Sequence, residues 1–110
     1  MTGGAGTIGG AVVRRLTRDA DWEVRVADER EPPDWIRQSC EVQAGDLREA
    51  VVARMAVEGC SHVIHLAAIV GGIGNFHRLP FTLLEANTAL YNSVFQAALE
   101  QRVERLVYVS

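Results

Sequence analysis

Three glycines near the start of the chain, Gly3, Gly6 and Gly9, are spaced three residues apart in the run Gly-Gly-Ala-Gly-Thr-Ile-Gly. This pattern predicts a tight turn that opens directly into a helix. Gly3 permits the turn, Gly6 lets the backbone approach a pyrophosphate, and Gly9 allows close packing of the helix. The free N–H groups at the start of the helix, at Thr7 and Ile8, and the helix dipole attract phosphates. The run therefore predicts a binding site for a dinucleotide.

Asp28 follows Gly9 by 19 positions, at the end of the next predicted strand. An acidic residue about 20 positions after the glycines accepts hydrogen bonds from the adenosine ribose of NAD and repels the 2′-phosphate of NADP. A solvated turn aspartate is the alternative, and the order of loop, helix and strand favours the functional interpretation. The prediction is NAD, with NADP not excluded because Arg30 lies close enough to weaken the preference.

A P-loop nucleotide site also begins with glycines, but its signature needs Lys and then Ser or Thr after the last glycine. In this chain Gly9 is followed by Gly10 and Ala11, and no lysine occurs anywhere. The P-loop interpretation is therefore excluded.

The elements that must position these residues alternate short apolar strands with amphipathic helices, which predicts βαβ units and a parallel sheet. Helices are predicted over 8–18, 46–55 and 80–101, and strands over 22–28, 40–44, 63–68 and 105–110. The buried helix faces are expected at Ile8, Val12, Val13 and Leu16, and at Leu84, Asn87, Tyr91, Val94, Phe95 and Ala98. Asp46 is expected to cap the second helix. The fold class is α/β, a Rossmann-like doubly wound sheet with strand order 3-2-1-4-5.

The glycine turn lacks the strand that must precede it in such a sheet, and nothing follows the strand at 105–110. We therefore expect residues 1–110 to form a partial NAD(P)-binding Rossmann domain, with the first strand and the carboxy-terminal part missing from the chain.

Charge and composition exclude several classes of protein. The 110 residues include 11 basic residues, all arginine, and 14 acidic residues, for a net charge of −3 and no basic stripe. Neither a nucleic acid nor a membrane is an expected partner. Two cysteines without a metal-binding spacing indicate free thiols and a cytoplasmic location. His62 and His65 point to opposite faces of a strand, so no metal site is predicted.

These residues resemble the NAD-dependent epimerase/dehydratase family of the extended short-chain dehydrogenase/reductase superfamily. The similar segments are the glycine run from Thr2 to Gly9, Gly45-Asp46-Leu47, His65-Leu66-Ala67-Ala68, the helix residue Asn87, and the strand ending at Ser110. The resemblance implies that Asp46 and Leu47 border the adenine. It also implies that Leu66, Ala67 and Ala68 lie beside the ribose and nicotinamide of the cofactor. Asn87 has two equal interpretations, a cofactor contact or a buried amide that the backbone satisfies.

Residues 67–74, Ala-Ala-Ile-Val-Gly-Gly-Ile-Gly, resemble a segment of GDP-fucose synthases, which implies a nucleotide-sugar substrate. GDP-fucose synthases use NADPH, which Asp28 does not favour. The family also implies a possible homodimer through the helix at 80–101, although the apolar face of that helix is equally explained as core.

The family resemblance implies catalysis by a Ser or Thr with a Tyr-x-x-x-Lys pair, which this chain does not contain. No catalytic residue is therefore assigned within the chain, and the pair is expected about 25 residues beyond Ser110. Two interpretations remain: the cofactor-binding portion of an enzyme, or a nucleotide-binding sensor module without catalysis. The enzyme is favoured.

Overall fold

The computed structural model describes residues 1–71 and 80–109. Helices and short strands alternate along this part of the chain, which confirms the predicted α/β class. In chain order the elements are α1 (Thr7–Leu16), β1 (Arg25–Asp28), α2 (Asp34–Ser39), β2 (Glu41–Ala44), α3 (Ala50–Val57), β3 (His62–His65), α4 (Pro80–Glu100) and β4 (Arg105–Tyr108).

The strands form two parallel pairs that are joined through a single residue. β1 pairs with β2, and β3 pairs with β4. Thr2 makes parallel bridges to both Ala27 in β1 and His65 in β3. The spatial order is therefore β2, β1, Thr2, β3, β4, which is the predicted 3-2-1-4-5 order with Thr2 in the position of the first strand.

Residues 1–3 complete the sheet at its carboxyl edge through backbone hydrogen bonds on both sides. The Ala27 N–H donates to Met1 O at 2.8 Å, and the Gly3 N–H donates to Ala27 O at 2.9 Å. On the other side the Thr2 N–H donates to Ile64 O at 2.9 Å. These bonds place the glycine turn at the edge of the sheet where the parallel strands end.

A cavity of about 1010 Å³ lies between the two strand pairs on the amino-terminal side of Met1. Its lining includes residues from the starts of β1 and β3 and both cysteines, Cys40 and Cys60. The Met1 amine donates to Arg25 O at 2.7 Å, and burial lowers the pKa of this amine.

Hydrophobic residues pack on both faces of the sheet, as a doubly wound fold requires. Val26 packs with Val13 of α1 and Ile36 of α2. Its neighbour Ala27 points to the other face and packs with α3 and α4, where Ala53, Val57, Leu90 and Val94 are buried. Because the side chains of successive strand residues point to opposite faces, the adjacent residues Val26 and Ala27 of β1 contribute to the hydrophobic clusters on opposite faces of the sheet.

Several predicted details of the helices were wrong. Ile8 and Leu84 are 71% and 65% exposed, so neither belongs to the buried face of its helix. The buried residues of α4 are Leu90, Val94, Ala97 and Ala98, toward its carboxyl end. The helix α2, directly after Pro33, was not predicted; Pro33 itself is its N-cap.

The strands are shorter than predicted. Each has four residues, because its pairing with the neighbouring strand covers only four residues. Trp22 lies outside β1 and packs edge-on against His62 instead. Within residues 1–71 and 80–109, no helix is long and apolar enough to cross a membrane.

Candidate functional site

The glycine turn lies directly on the chain that leaves β3. Gly3 has φ +73°, in the left-handed region that favours glycine. A Cβ at this position would come within 2.6 Å of the Ala67 amide nitrogen, so a side chain cannot fit. At Gly9 a Cβ would collide with the carbonyl of Gly3. The third glycine therefore allows α1 to close onto the turn itself, where close packing against a strand was expected.

The start of α1 is open to a ligand. Its N-cap is Gly6, and no side chain makes a capping hydrogen bond there. Thr7 and Ile8, the first two residues of the helix, are both exposed. The first N–H groups of a helix have no partner within the helix, and together with the dipole they favour an anion. The uncapped and exposed start of α1 therefore leaves room for an anion such as a phosphate group.

Asp28 is tied to the same turn. Its Oδ2 accepts a hydrogen bond from the Ala5 N–H at 3.0 Å, and its Oδ1 accepts one from the Arg30 N–H at 3.0 Å. The side chain is 7% exposed. The acidic residue and the glycine turn, 23 residues apart in sequence, thus form one structural unit. The sequence did not predict the role of the Ala5 amide, because a backbone donor has no signature of its own.

Thr2 and His65 link the turn to the end of β3. The Thr2 hydroxyl lies 2.6 Å from His65 Nδ1, and it accepts a hydrogen bond from the Ala67 N–H at 3.4 Å. Thr2 and His65 are 2% and 1% exposed. Burial lowers the pKa of His65 to about 4, so the imidazole is neutral at pH 7. Both residues were noted within motifs, and only their contact reveals this positioning role.

Asp46 does not cap a helix, contrary to the prediction. It accepts hydrogen bonds from the backbone N–H of Arg48 at 2.9 Å and from the Arg48 guanidinium, and these bonds lower the pKa of its carboxyl. The Asp46 carboxylate is therefore hydrogen-bonded to Arg48 and not to the start of a helix. The helix α3 begins at Ala50, with Glu49 as its N-cap.

The segment around Asp46 still borders the site. The Gly45 N–H donates to Asp28 O at 3.2 Å, which holds the end of β2 against the end of β1. Leu47 is 4% exposed and belongs to the core cluster that includes Ala27.

Asn87 is satisfied by the backbone. Its Oδ1 accepts a hydrogen bond from the Ile69 N–H, and its Nδ2 donates to Ile69 O and to Leu83 O, each at 2.9 Å. The side chain therefore fixes the chain after β3 against α4. Of the two interpretations that the sequence left open, the structure supports the backbone-bonded amide directly.

The described residues contain no group of three or more His, Cys, Asp or Glu that could hold a metal ion. His62 is exposed and His65 is buried, in line with their predicted opposite directions.

A comparison with protein families decides how this arrangement should be interpreted. The model of the NAD dependent epimerase/dehydratase family matches residues 1–110. The chain belongs to this family. The turn, the acidic residue at the end of β1 and the small residues after β3 thus occur together in an epimerase/dehydratase family chain.

Solved structures are similar to this epimerase/dehydratase chain over nearly its whole length. Pen from Bacillus thuringiensis has a TM-score of 0.85 and 26% identity over 99% of the chain. A dTDP-glucose 4,6-dehydratase from Streptomyces venezuelae, a DesIV double mutant with NAD and DAU bound, has a TM-score of 0.82 and 27% identity over 99% of it. Uronate dehydrogenase from Agrobacterium tumefaciens, as a Y136A mutant complexed with NAD, has a TM-score of 0.75 and 27% identity over 99% of the chain. The chain spans only 35% to 38% of the length of these three structures.

Some of the predicted residues of this family chain fall outside the described part. These are Ser110 and the part of the 67–74 segment beyond Gly71. Of the 67–74 segment, Ala67 and Ala68 follow β3, with Ala67 partly buried and Ala68 exposed.

Proposed function

We propose that residues 1–110 form part of the NAD-binding Rossmann domain of an epimerase, dehydratase or reductase that acts on a nucleotide-sugar in the cytoplasm. In this proposal the Tyr-x-x-x-Lys pair of the parent protein follows Ser110. The single observation that carries the proposal is the hydrogen bond between Asp28 and the Ala5 amide, because it joins the ribose-binding and phosphate-binding residues in one site.

The chain's own residues fit the dinucleotide in three respects. The uncapped start of α1 at Gly6 offers backbone donors to the pyrophosphate. Asp28 offers acceptor positions to the adenosine ribose. Leu66 and Ala67 lie against Gly3, so the end of β3 lines the same site. Asp46 and Leu47 border the adenine in this proposal, and Thr7, Ile8 and Ala68 line the site.

NAD supplies a hydride acceptor when it is bound, and the described residues bind and orient it. The turn is held in place on two sides, by Asp28 through Ala5 and by His65 through Thr2. A site that is rigid before binding loses less conformational entropy when the ligand arrives. The chain thus provides positioning, and the proton transfers belong to the residues proposed beyond Ser110.

The nucleotide-sugar assignment is supported by the relatives. One similar structure is a dTDP-glucose 4,6-dehydratase, and another is a UDP-glucose 4-epimerase with 26% identity and a TM-score of 0.82. A homodimer through α4 is part of the proposal, and the exposed Phe81, Leu84 and Leu99 on this helix support it.

Two measurements test the proposal. Calorimetric titration of the complete parent protein with NAD is expected to show saturable binding, and the absence of binding would contradict the proposal. The coding DNA downstream of Ser110 is expected to encode Tyr-x-x-x-Lys within roughly 25 codons, one loop and the start of the next helix. NAD binding without that pair would reduce the protein to a sensor module and remove the catalytic part of the proposal.

A further inference from the structure

Tyr91 of α4 lies between the carboxyl ends of β3 and β4. Its ring meets the ring of His65 edge-on, with 5.1 Å between centroids, and the ring of Tyr108 at 6.3 Å. His65 and Tyr108 are partners in the parallel pairing of the two strands. Phe95, one turn further along α4, contacts the same ring at 5.8 Å. Aromatic rings at these separations attract one another, so three neighbours fix the position of the Tyr91 ring.

The hydroxyl group of Tyr91 reaches the chain beyond the paired strands. The pairing of β3 with β4 ends at His65 and Tyr108, so Val109 is the first residue after it. The Tyr91 hydroxyl donates a hydrogen bond to Val109 O at 3.2 Å. Val109 itself is 60% exposed, so packing of its side chain holds it only weakly. The Tyr91 hydroxyl therefore holds the backbone at the point where the strand pairing ends.

Asn87 holds the chain after β3 in the same way. It lies one turn before Tyr91 on α4, and residues four apart occupy the same face of a helix. Asn87 makes two hydrogen bonds with the backbone of Ile69, each at 2.9 Å, and Tyr91 makes one with the backbone of Val109. The carboxyl ends of the strands border the ligand site in a doubly wound sheet. One face of α4 thus fixes the two strand ends at this edge relative to each other.

We propose that Tyr91 is a positioning residue whose hydroxyl fixes the end of β4, and with it the catalytic residues that follow, against the nicotinamide side of the cofactor site. The inference rests on the proposed function, in which those residues lie beyond Ser110. It goes beyond that function because it assigns to a residue of this chain an effect on the chemical step and not on cofactor binding. A displacement of about 1 Å between reacting groups lowers a rate by up to roughly a hundredfold, so one hydrogen bond at this point affects turnover.

The test is Tyr91→Phe in the complete parent protein, because this change removes the hydroxyl and keeps the ring with its aromatic contacts. Hydrogen exchange of the backbone amides directly after Tyr108, followed by mass spectrometry, is expected to accelerate about fivefold, the effect of losing one such hydrogen bond. Turnover is measured with UDP-glucose and with dTDP-glucose at saturating NAD. The value of kcat is expected to fall roughly tenfold, while KM changes by less than about twofold. Calorimetric titration is expected to give an unchanged dissociation constant for NAD, and thermal melting checks the fold.

Tyr108→Phe is the matched control. It removes a hydroxyl from a ring next to Tyr91, and among residues 1–71 and 80–109 that hydroxyl has no hydrogen-bond partner. This variant is expected to leave the hydrogen exchange, kcat and NAD affinity unchanged.

Unchanged hydrogen exchange after Tyr108 in the Tyr91→Phe variant would overturn the inference, whatever its turnover. Accelerated exchange at unchanged kcat would overturn it as well, and so would a loss of NAD affinity that accounts for the loss of turnover. If the wild type bound NAD and turned over neither nucleotide-sugar, the substrate part of the proposed function would fail. The exchange measurement would then still decide whether Tyr91 positions the end of β4.

Discussion

Thr2 Oγ1 and His65 Nδ1 lie 2.6 Å apart in the interior, 63 residues apart in sequence. The same Thr2 oxygen accepts a hydrogen bond from the Ala67 N–H at 3.4 Å, so Thr2 joins His65 to the chain that follows β3. The other ring nitrogen of His65, Nε2, has no hydrogen-bond partner among the described residues. The ring meets that of Tyr91 edge-on, with 5.1 Å between centroids.

We expect Thr2→Val to lower the free energy of unfolding by about 1 to 3 kcal/mol, because it leaves His65 Nδ1 buried without its hydrogen-bond partner at nearly unchanged side-chain volume. Urea unfolding measures the loss. Thr2→Ser retains the hydroxyl, so its free energy of unfolding is expected to fall clearly less than that of Thr2→Val. Equal losses for the two variants would show that the methyl group, and not the hydrogen bond, stabilises this contact.

Acidification is expected to destabilise the protein through His65. Burial lowers the pKa of this histidine to about 4 in the folded state, against its ordinary value of 6.5. Between these values the unfolded chain binds a proton that the folded protein does not, so stability falls as the pH falls from 6.5 toward 4. The full loss is roughly 3 kcal/mol.

Unfolding free energies of the wild type and of His65→Asn across this pH range measure the effect. An asparagine amide offers both a donor and an acceptor to the Thr2 hydroxyl and does not titrate. The wild type is expected to show the steeper dependence, while His62→Asn, at an exposed position of the same strand, is expected to follow the wild type. Parallel curves for the wild type and His65→Asn would exclude His65 as the titrating group.

Gly6→Val is expected to abolish binding of both NAD and NADP while most of the fold remains. Gly6 has φ −77°, which any residue adopts, and its Cβ would lie 3.2 Å from the movable end of Arg30 and 3.3 Å from the Gly3 carbonyl oxygen. The added side chain would occupy the space that the pyrophosphate needs. Calorimetric titration and circular dichroism measure binding and fold. Gly10→Ala, where a Cβ has ordinary contacts of 3.8 Å, is the control and should bind normally. Retained affinity in Gly6→Val would make the turn a simple connector.

Asp28→Ala is expected to weaken NAD more than NADP, because the alanine loses the ribose acceptor and also the negative charge beside the 2′ position. The ratio of the two dissociation constants, measured by titration, is the readout. Loss of the Ala5 hydrogen bond should weaken both affinities to some extent. Losses of the same size for both cofactors would refute the assignment of Asp28 to the ribose.

Asn87→Ala is expected to lower the free energy of unfolding by about 1 to 3 kcal/mol, since it removes the partners of both backbone groups of Ile69. Denaturant unfolding checks the value. Asn92→Ala, at an exposed position of the same helix, should cost less than about 0.5 kcal/mol. If Asn87→Ala weakened NAD binding at unchanged stability, Asn87 would be a cofactor contact after all.

The sequence alone determined the α/β class, the strand order and the glycine turn that precedes α1. These features follow from local rules: glycine spacing selects the turn, apolar periodicity selects strands and helices, and parallel connections permit few strand orders. The turn at Gly3 and the position of Asp28 at the end of β1 were both predicted correctly for this reason. Ile8 was predicted wrongly, because periodicity identifies an apolar position without showing whether another element covers it.

Only the tertiary structure decided which polar groups form hydrogen bonds with one another. Asp46 matched the pattern of a helix cap, yet it binds Arg48 and the helix begins at Ala50. A helix cap and a hydrogen bond with Arg48 both give the Asp46 carboxylate a partner, and the local sequence does not show which of the two forms. The contacts of Thr2 with His65 and of Asp28 with Ala5 likewise join segments that are distant in sequence. Such contacts exist only once the strands are placed side by side, because the sheet brings the ends of its strands to one edge.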